Sequence, residues 1–212
     1  MRYFTFYNVL IAFTEKEDSN QRNLDNIKKT VEKLRIKNVL IPNQKHTNIV
    51  LKVDDYKNQE CDGLYTDKKE SAVGVLTADC IPVVLFNDDE IAVIHAGWRG
   101  LFGGVIENGF SMFKNKKVKA FIGPSIRGCC YEVDKQFVND LNIDEKFYKI
   151  YDSKAYLDLV KIAKSKLETL KVEEIFDVGQ CTKCSGKYFS YRNGDFESRI
   201  LTLGMIKETK WD

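Results

Sequence analysis

Histidine is nearly absent from this chain, with two in 212 residues, and proline and tryptophan are scarce at three and two. A cluster of several copper ions built in the usual imidazole-rich way therefore lacks its ligands. No apolar run approaches the ~18–20 residues of a transmembrane helix. Charge of one sign is missing as well, because 33 basic residues face 31 acidic ones for a net charge of +2. The bulk attraction that draws basic proteins to nucleic acid is thus excluded. Gly/Ser-rich linkers, low-complexity tracts and repeats at solenoid periods are also lacking, so nothing marks a place to divide the chain. Residues 1–13 are apolar and aromatic, but Arg2, Asn8 and the acidic stretch from Glu15 deny them the layout of a secretory signal. These absences predict a cytoplasmic protein forming one domain over 1–212, monomeric or in a small homo-oligomer. Neither nucleic acid nor membrane is expected as a partner, and the six cysteines are expected reduced.

What is present is enough apolar material, 43% of residues, to bury a sizeable core. Tyr3–Tyr7 and Val9–Phe13 read as strands. Leu24, Ile27, Val31 and Leu34 recur at helical spacing after Asp18 or Ser19 as caps. Further strands are predicted at 39–41, 49–53, 71–77, 119–122, 172–176, 188–192 and 199–206, with a short helix over 134–141. The longest amphipathic helix follows Tyr156, through Leu159, Val160, Ala163, Leu167 and Leu170, with Asp152 or Ser153 as its cap. The resulting fold class is α/β (α+β), with mixed β-sheets and flanking helices.

The chemistry concentrates between Thr77 and Gly104. Ile81–Phe86 and Ile91–Ala96 are rich in Ile and Val, and the polar tetrapeptide Asn87-Asp88-Asp89-Glu90 between them suits a hairpin loop. With Phe86 opposite Ile91, Cys80 falls opposite Gly97 and diagonal to His95, which puts thiol and imidazole on one face of the sheet. A bulge or a loop of odd length would send them to opposite faces. After His95 come Gly97-Trp98-Arg99-Gly100 and Gly103-Gly104, then a helix. Such a turn either packs strand against helix closely or presents N–H groups and the Arg99 fork to an anion. Asp79, beside Cys80, can serve as an acid or base only if the strand ends there.

Several short motifs resemble those of the family known as multicopper polyphenol oxidases or laccases, now regarded as zinc-dependent purine nucleoside phosphorylases. They are Gln44-Lys45-His46, Thr77-Ala78-Asp79-Cys80, His95-Ala96-Gly97-Trp98-Arg99-Gly100, Gly123-Pro124-Ser125-Ile126, Cys130-Tyr131-Glu132-Val133 and Ser190-Tyr191-Arg192. The resemblance implies a zinc ion held by His46, Cys80 and His95, with one position left open as in catalytic sites. His46, Cys80, His95 and Asp79 then form the catalytic group, with Arg99 and Arg192 contacting phosphate or substrate. The implied substrates are phosphate and a purine nucleoside: adenosine, inosine, guanosine or S-methyl-5'-thioadenosine. Adenosine deamination is implied as a second activity. The chain departs from the family's pattern where Ile27 replaces an arginine of the first helix, for which Arg22 can substitute, and where Asn193 replaces a second arginine.

Two other readings use the same residues. Cys80 as nucleophile with His95 as base would make a cysteine hydrolase or deamidase, which leaves His46 without a role. Copper in place of zinc would make a polyphenol oxidase, for which two histidines are too few. Cys181-Thr182-Lys183-Cys184 resembles half of a zinc ribbon, but no second CxxC completes it and Cys129 and Cys130 have the wrong spacing. Those four cysteines, like Cys61, are expected to be packing residues.

Overall fold

The computed structural model describes residues 1–208. Strands β1 (Arg2–Phe6) and β2 (Val9–Phe13) form a hairpin, followed by helix α1 (Leu24–Lys33). Short strands β3 (Val39–Leu40) and β4 (Val50–Lys52) flank the His46 loop. Next come β5 (Gly63–Thr66), β6 (Ala72–Thr77) and the hairpin of β7 (Ile81–Phe86) and β8 (Ile91–Ala96). Helices α2 (Trp98–Phe102) and α3 (Val105–Ser111) lead to β9 (Lys119–Ile122) and β10 (Glu132–Asp134). The remainder is α4 (Lys135–Asp140), β11 (Tyr148–Tyr151), β12 (Lys154–Leu157), α5 (Leu159–Thr169), β13 (Glu174–Asp177) and β14 (Ile200–Ile206).

Three sheets result, in the orders β1-β2-β14-β6-β3, β13-β9-β7-β8-β5-β4 and β10-β12-β11. The expected α/β class with mixed sheets is thus what the chain forms. The two large sheets pack face to face. Val9, Ile11, Phe13, Val73 and Val75 from one meet Leu64, Val84, Phe86, Val93 and Phe121 from the other. The opposite face of the six-stranded sheet, with Ile81, Val83, Leu85, Ala92 and Ile94, lies under α2, α3 and α5 through Leu101, Val105, Ile106, Leu159 and Ala163. Leu10, Ala12, Leu201, Leu203 and Met205 cover the outer face of the five-stranded sheet together with Val31 and Leu34 of α1. Both sheets are therefore buried on two faces. That is why the β7 and β8 sequences read as continuous apolar runs and not as alternating ones. Among the described residues, no helix is long and apolar enough to cross a membrane.

Three local expectations are corrected. Helix α1 is capped by Asn23, whose side chain accepts from the Asp25 N–H. Asp18 instead closes a 3₁₀ turn at Lys16–Asp18 and pairs with the N-terminal ammonium. Helix α5 starts only at Leu159, capped by Asp158, because Lys154–Leu157 pair as the central strand of the small sheet. Residues 188–192 form no strand. The Ser190 N–H goes to the Asp195 carboxylate, and Tyr191–Asn193 makes a single 3₁₀ turn ended by Gly194 in the left-handed region.

Glu90, expected as a loop residue, is only 4% exposed. Its carboxylate accepts from Tyr65 Oη at 2.6 Å, from Asn87 Nδ2 at 3.0 Å and from the N–H groups of Lys114 and Asn115 at 2.8 and 3.1 Å. Burial pushes this carboxyl up, but the four donors outweigh it and hold it below its ordinary 4.5. A depressed carboxyl stabilises the fold fully above its unfolded value and loses that contribution as pH falls. Glu90→Gln is expected to cost about 1–3 kcal/mol at neutral pH, because its amide nitrogen cannot accept from these donors. Urea unfolding should show the gap between variant and wild type closing as pH drops below 4.5. A gap independent of pH would show that the carboxylate charge is not what the four donors hold.

Candidate metal and anion site

The rim where the two large sheets meet is crossed repeatedly by the chain. The loop between β3 and β4 passes from the five-stranded sheet to the six-stranded one, and Ala78-Asp79-Cys80 makes the same crossing between β6 and β7. Asp79 turns that corner with a φ of +88°. His46 sits on the first crossing at φ +61°, and His95 is the next-to-last residue of β8. The β7–β8 register pairs Phe86 with Ile91 and Ile81 with Ala96, so the hairpin carries no bulge and Cys80 stays on the His95 side.

One ligand atom from each of His46, Cys80 and His95 lies within 4.8 Å of the others. His46 Nε2 is 3.9 Å from Cys80 Sγ, and the two imidazole rings stand at 72° with centroids 4.9 Å apart. The three donors span very different exposures: His46 open, Cys80 half-buried, His95 buried. Burial alone would push the Cys80 thiol up. The charge carried by His95 and the hydrogen bonds from both imidazoles outweigh it and bring the thiol down to about 6. Burial likewise opposes charge on His95, yet Cys80 and Asp62 raise it to about 9. The pocket between them thus favours positive charge against a thiolate.

The residue that sequence reading missed is Asp62, which is fully buried. Its Oδ1 takes the His95 Nδ1–H at 2.6 Å and the His46 N–H at 3.0 Å. Its Oδ2 takes the N–H groups of Lys45 and Thr47 at 3.1 and 2.6 Å and the Thr47 hydroxyl at 2.9 Å. Burial would raise this carboxyl, but His95 and the Thr47 donors hold it at about 2. One carboxylate therefore shapes the loop that carries His46 and fixes the His95 ring, leaving Nε2 of that ring for a ligand. A carboxylate behind a ligating imidazole is the usual outer support of a metal centre. The donor set, two imidazoles and a thiol, together with that support, fits a zinc-type ion. Gln44 completes the loop's anchorage by exchanging two hydrogen bonds with the Leu76 backbone, both 2.8 Å.

The glycines after His95 serve this loop. A Cβ on Gly97 would lie 2.8 Å from His46 Cδ2 and 3.2 Å from Cys80 Sγ, and one on Gly100 would lie 2.5 Å from the Thr47 carbonyl oxygen. Close approach of backbone to loop is what they permit. The helix expected after Gly103-Gly104 is α3, the five-residue α2 precedes it, and the Arg99 guanidinium lies 4.4 Å above the Trp98 ring.

A cleft of about 620 Å³ opens over His46, Cys80 and His95. Four arginines line it: Arg99 and Arg192, both expected, Arg22, the expected substitute for the arginine missing at Ile27, and Arg199. Arg22 pairs with Glu197. Burial, and then the neighbouring Arg22 charge, lower the Arg199 guanidinium from its usual range. Such crowding of like charges creates a preference for an anion. Arg192 donates from Nη1 to the Glu132 carbonyl at 2.7 Å and stacks 4.9 Å above the Tyr131 ring. Ile27 packs against the core under the five-stranded sheet, and the Asn193 amide donates to the Lys183 carbonyl at 2.7 Å. Asp79 does lie past the end of its strand and lines the cleft, but both its oxygens are engaged. Oδ1 accepts from Thr182 Oγ1 at 2.6 Å and Oδ2 from the Arg192 N–H at 2.9 Å. Cys61 is buried as expected. The expectation for the remaining thiols is corrected. Cys129, Cys130, Cys181 and Cys184 converge on one another, because a parallel bridge between Ser125 and Cys181 lays their two turns side by side.

A family model described as multi-copper polyphenol oxidoreductase laccase matches residues 4–207. A purine nucleoside phosphorylase of Aquifex aeolicus is 33% identical over 175 residues, 79% of this chain and 82% of that protein. The purine nucleoside phosphorylase YfiH of Escherichia coli is 31% identical over 172 residues, 76% of this chain and 70% of its own length. Among solved structures, a Neisseria meningitidis protein matches with a TM-score of 0.85 at 23% identity, covering 98% of this chain and 100% of that one. YlmD from Geobacillus stearothermophilus matches with a TM-score of 0.82 at 22% identity, covering 95% and 93%. At such identities the solved structures speak for the fold.

Asp62→Asn is expected to weaken Zn(II) binding by roughly 10- to 100-fold, as loss of an outer-shell carboxylate does elsewhere. Gly97→Ala should weaken it too, by driving a methyl group against His46 and Cys80. Competition with a chromogenic chelator measures both, and circular dichroism checks that the variants fold. Wild-type affinity in both folded variants would remove Asp62 and Gly97 from the site's construction.

Proposed function

The chain belongs to the multi-copper polyphenol oxidoreductase laccase family, and from that premise we propose that it is a zinc-dependent enzyme cleaving purine nucleosides with phosphate. The observation that carries this reading is the convergence of His46, Cys80 and His95 on the floor of a cleft lined by four arginines. The relatives named purine nucleoside phosphorylase support it. The oxidase chemistry in the family's description does not suit this chain, since its two histidines cannot furnish a multicopper cluster.

Zinc held by His46, Cys80 and His95 would supply a Lewis acid with one open position. The chain's own residues do the rest. Arg99, Arg192, Arg199 and Arg22 hold phosphate, and Trp98, Tyr131 and Tyr191 in the cleft wall offer aromatic surface to a flat base. In phosphorolysis a phosphate oxygen forms a bond to the ribosyl anomeric carbon as the bond from that carbon to the base nitrogen breaks. The base leaves with the electron pair and gains a proton. Orientation of the phosphate beside an electron-poor sugar is the protein's main contribution. Asp79 is a positioning residue in this scheme. Its carboxylate fixes the Arg192 backbone and the Thr182 side chain, so it holds the arginine turn over the metal ligands.

Adenosine deamination belongs to the same proposal as a second activity, for which a zinc ion held by His46, Cys80 and His95 would supply Lewis-acid activation of water. A cysteine hydrolase finds one favourable feature, since Asp62, His95 and Cys80 are placed in sequence like a relay. The second imidazole at 3.9 Å from the same sulfur favours the metal.

Chromatography of adenosine and inosine reactions, with and without phosphate, tests the reading. Free base formed only when phosphate is present is the expected result. Base release indifferent to phosphate would mean a hydrolase, inosine alone a deaminase, and no product with zinc loaded would defeat the proposal. Arg192→Lys keeps the charge but loses the planar fork and the Tyr131 stack. It should raise the KM for phosphate by roughly ten- to a hundredfold, about 1–3 kcal/mol. Arg99→Lys should act in the same direction, and an unchanged KM in both would take phosphate away from these arginines.

A further inference from the structure

The four sulfurs of Cys129, Cys130, Cys181 and Cys184 all lie within 4.8 Å of one another. Cys129 Sγ is 3.6 Å from Cys130 Sγ and 3.9 Å from Cys184 Sγ. A tetrahedral zinc ion with Zn–S bonds of about 2.3 Å separates its sulfurs by about 3.8 Å. Sulfurs joined in a disulfide would be about 2 Å apart, and all four cysteines are free. The spacing is that of a tetrathiolate cage.

Two turns built like ligand knuckles supply it. In the first, the N–H groups of Cys130 and Tyr131 both bond to the Arg127 carbonyl, at 2.8 and 2.9 Å, so consecutive cysteines curl toward one point. In the second, the Ser185 N–H bonds to the Cys181 carbonyl at 3.2 Å, so the chain curls back on itself through Cys184. Gly186 in the left-handed region turns the chain away just past Cys184. The turns are locked together. Ser125 N–H donates to the Gln180 carbonyl and Thr182 N–H to the Ser125 carbonyl. Arg127 clamps Asp177 in a bidentate pair at 2.8 and 2.9 Å. The two turns thus hold the four thiols around one point.

We propose that Cys129, Cys130, Cys181 and Cys184 bind a zinc ion as a closed structural centre, separate from the site formed by His46, Cys80 and His95. Binding releases the four thiol protons and leaves a tetrathiolate with no open position, so this ion takes no part in turnover. Its place explains what it supports. Thr182, between two ligands, donates to Asp79, and the Lys183 carbonyl receives the Asn193 amide beside Arg192. Tyr131, next to ligand Cys130, carries the Arg192 guanidinium on its ring. The second centre thereby braces the turn that holds Arg192 over the cleft.

Elemental analysis of the protein purified under reducing conditions should give two zinc ions per chain. Cys181→Ser/Cys184→Ser should lose one of them, and His46→Ala/His95→Ala should lose the other. The histidine variant keeps the cysteine turns intact, so X-ray absorption at its zinc edge should show a shell of sulfur alone at about 2.3 Å. Neither readout depends on nucleoside turnover, so failure of the proposed activity leaves this test standing. One zinc per chain, retained by the cysteine variant, would overturn the second centre. So would a mixed nitrogen and sulfur shell in the histidine variant. Iron in the cage, or a mass showing that thiol pairs have oxidised, would overturn its assignment to zinc.

Discussion

The site depends on one buried carboxylate. Asp62 receives three consecutive backbone N–H groups, a hydroxyl and an imidazole, and its own carbonyl receives the His95 N–H at 2.7 Å. Removing such a charge from water is costly, and that cost is offset only when every acceptor position is filled. The five donors fill them, and in doing so they fix His46 in a left-handed conformation that is uncommon for residues other than glycine. The loop's shape and the His95 tautomer are consequently set by the same group. Loss of either would disturb the other.

A second constraint comes from the two sheets. Their facing sides are packed with phenylalanines and branched aliphatics, so neither strand set can rotate without opening that layer. Chain crossings at the rim are therefore rigid in spite of being loops. Asp79 reinforces one of them by tying Cys80's neighbourhood to residues 182 and 192, more than a hundred positions away. Rigid placement of loop residues is what a cleft needs if a guanidinium fork and metal ligands are to act together.

Much of this was legible in the chain itself. The β7 and β8 boundaries and their register follow from the two β-branched runs and the tetrapeptide between them, and with the register comes the meeting of Cys80 and His95. His46 was reachable only through its resemblance to a family motif, since no local spacing relates it to residues 34 and 49 positions later. Asp62 carried no signal, because Asp62-Gly63 reads as an ordinary turn and its partners come from separate loops. Arg199 was hidden for a similar reason, at the edge of an apolar strand. Spacing misled outright for the cysteines: a rule based on paired CxxC motifs cannot see that a parallel bridge brings Cys181 beside Ser125. The caps of α1 and α5 failed because nearby carboxylates had other partners and because a three-stranded sheet took the residues before α5.

The crossing of the chain between sheets has a mechanical consequence. His46 stands on the first crossing and Cys80 on the second, while His95 belongs to the six-stranded sheet itself. An ion gripped by all three would act as a rivet through the seam, so seam alignment and ion occupancy would become one variable. Any shear that slides one sheet along the other disperses the three donors, and any grip on the ion resists that shear. Thermal loosening of the seam and escape of the ion would then be a single event, seen from two sides.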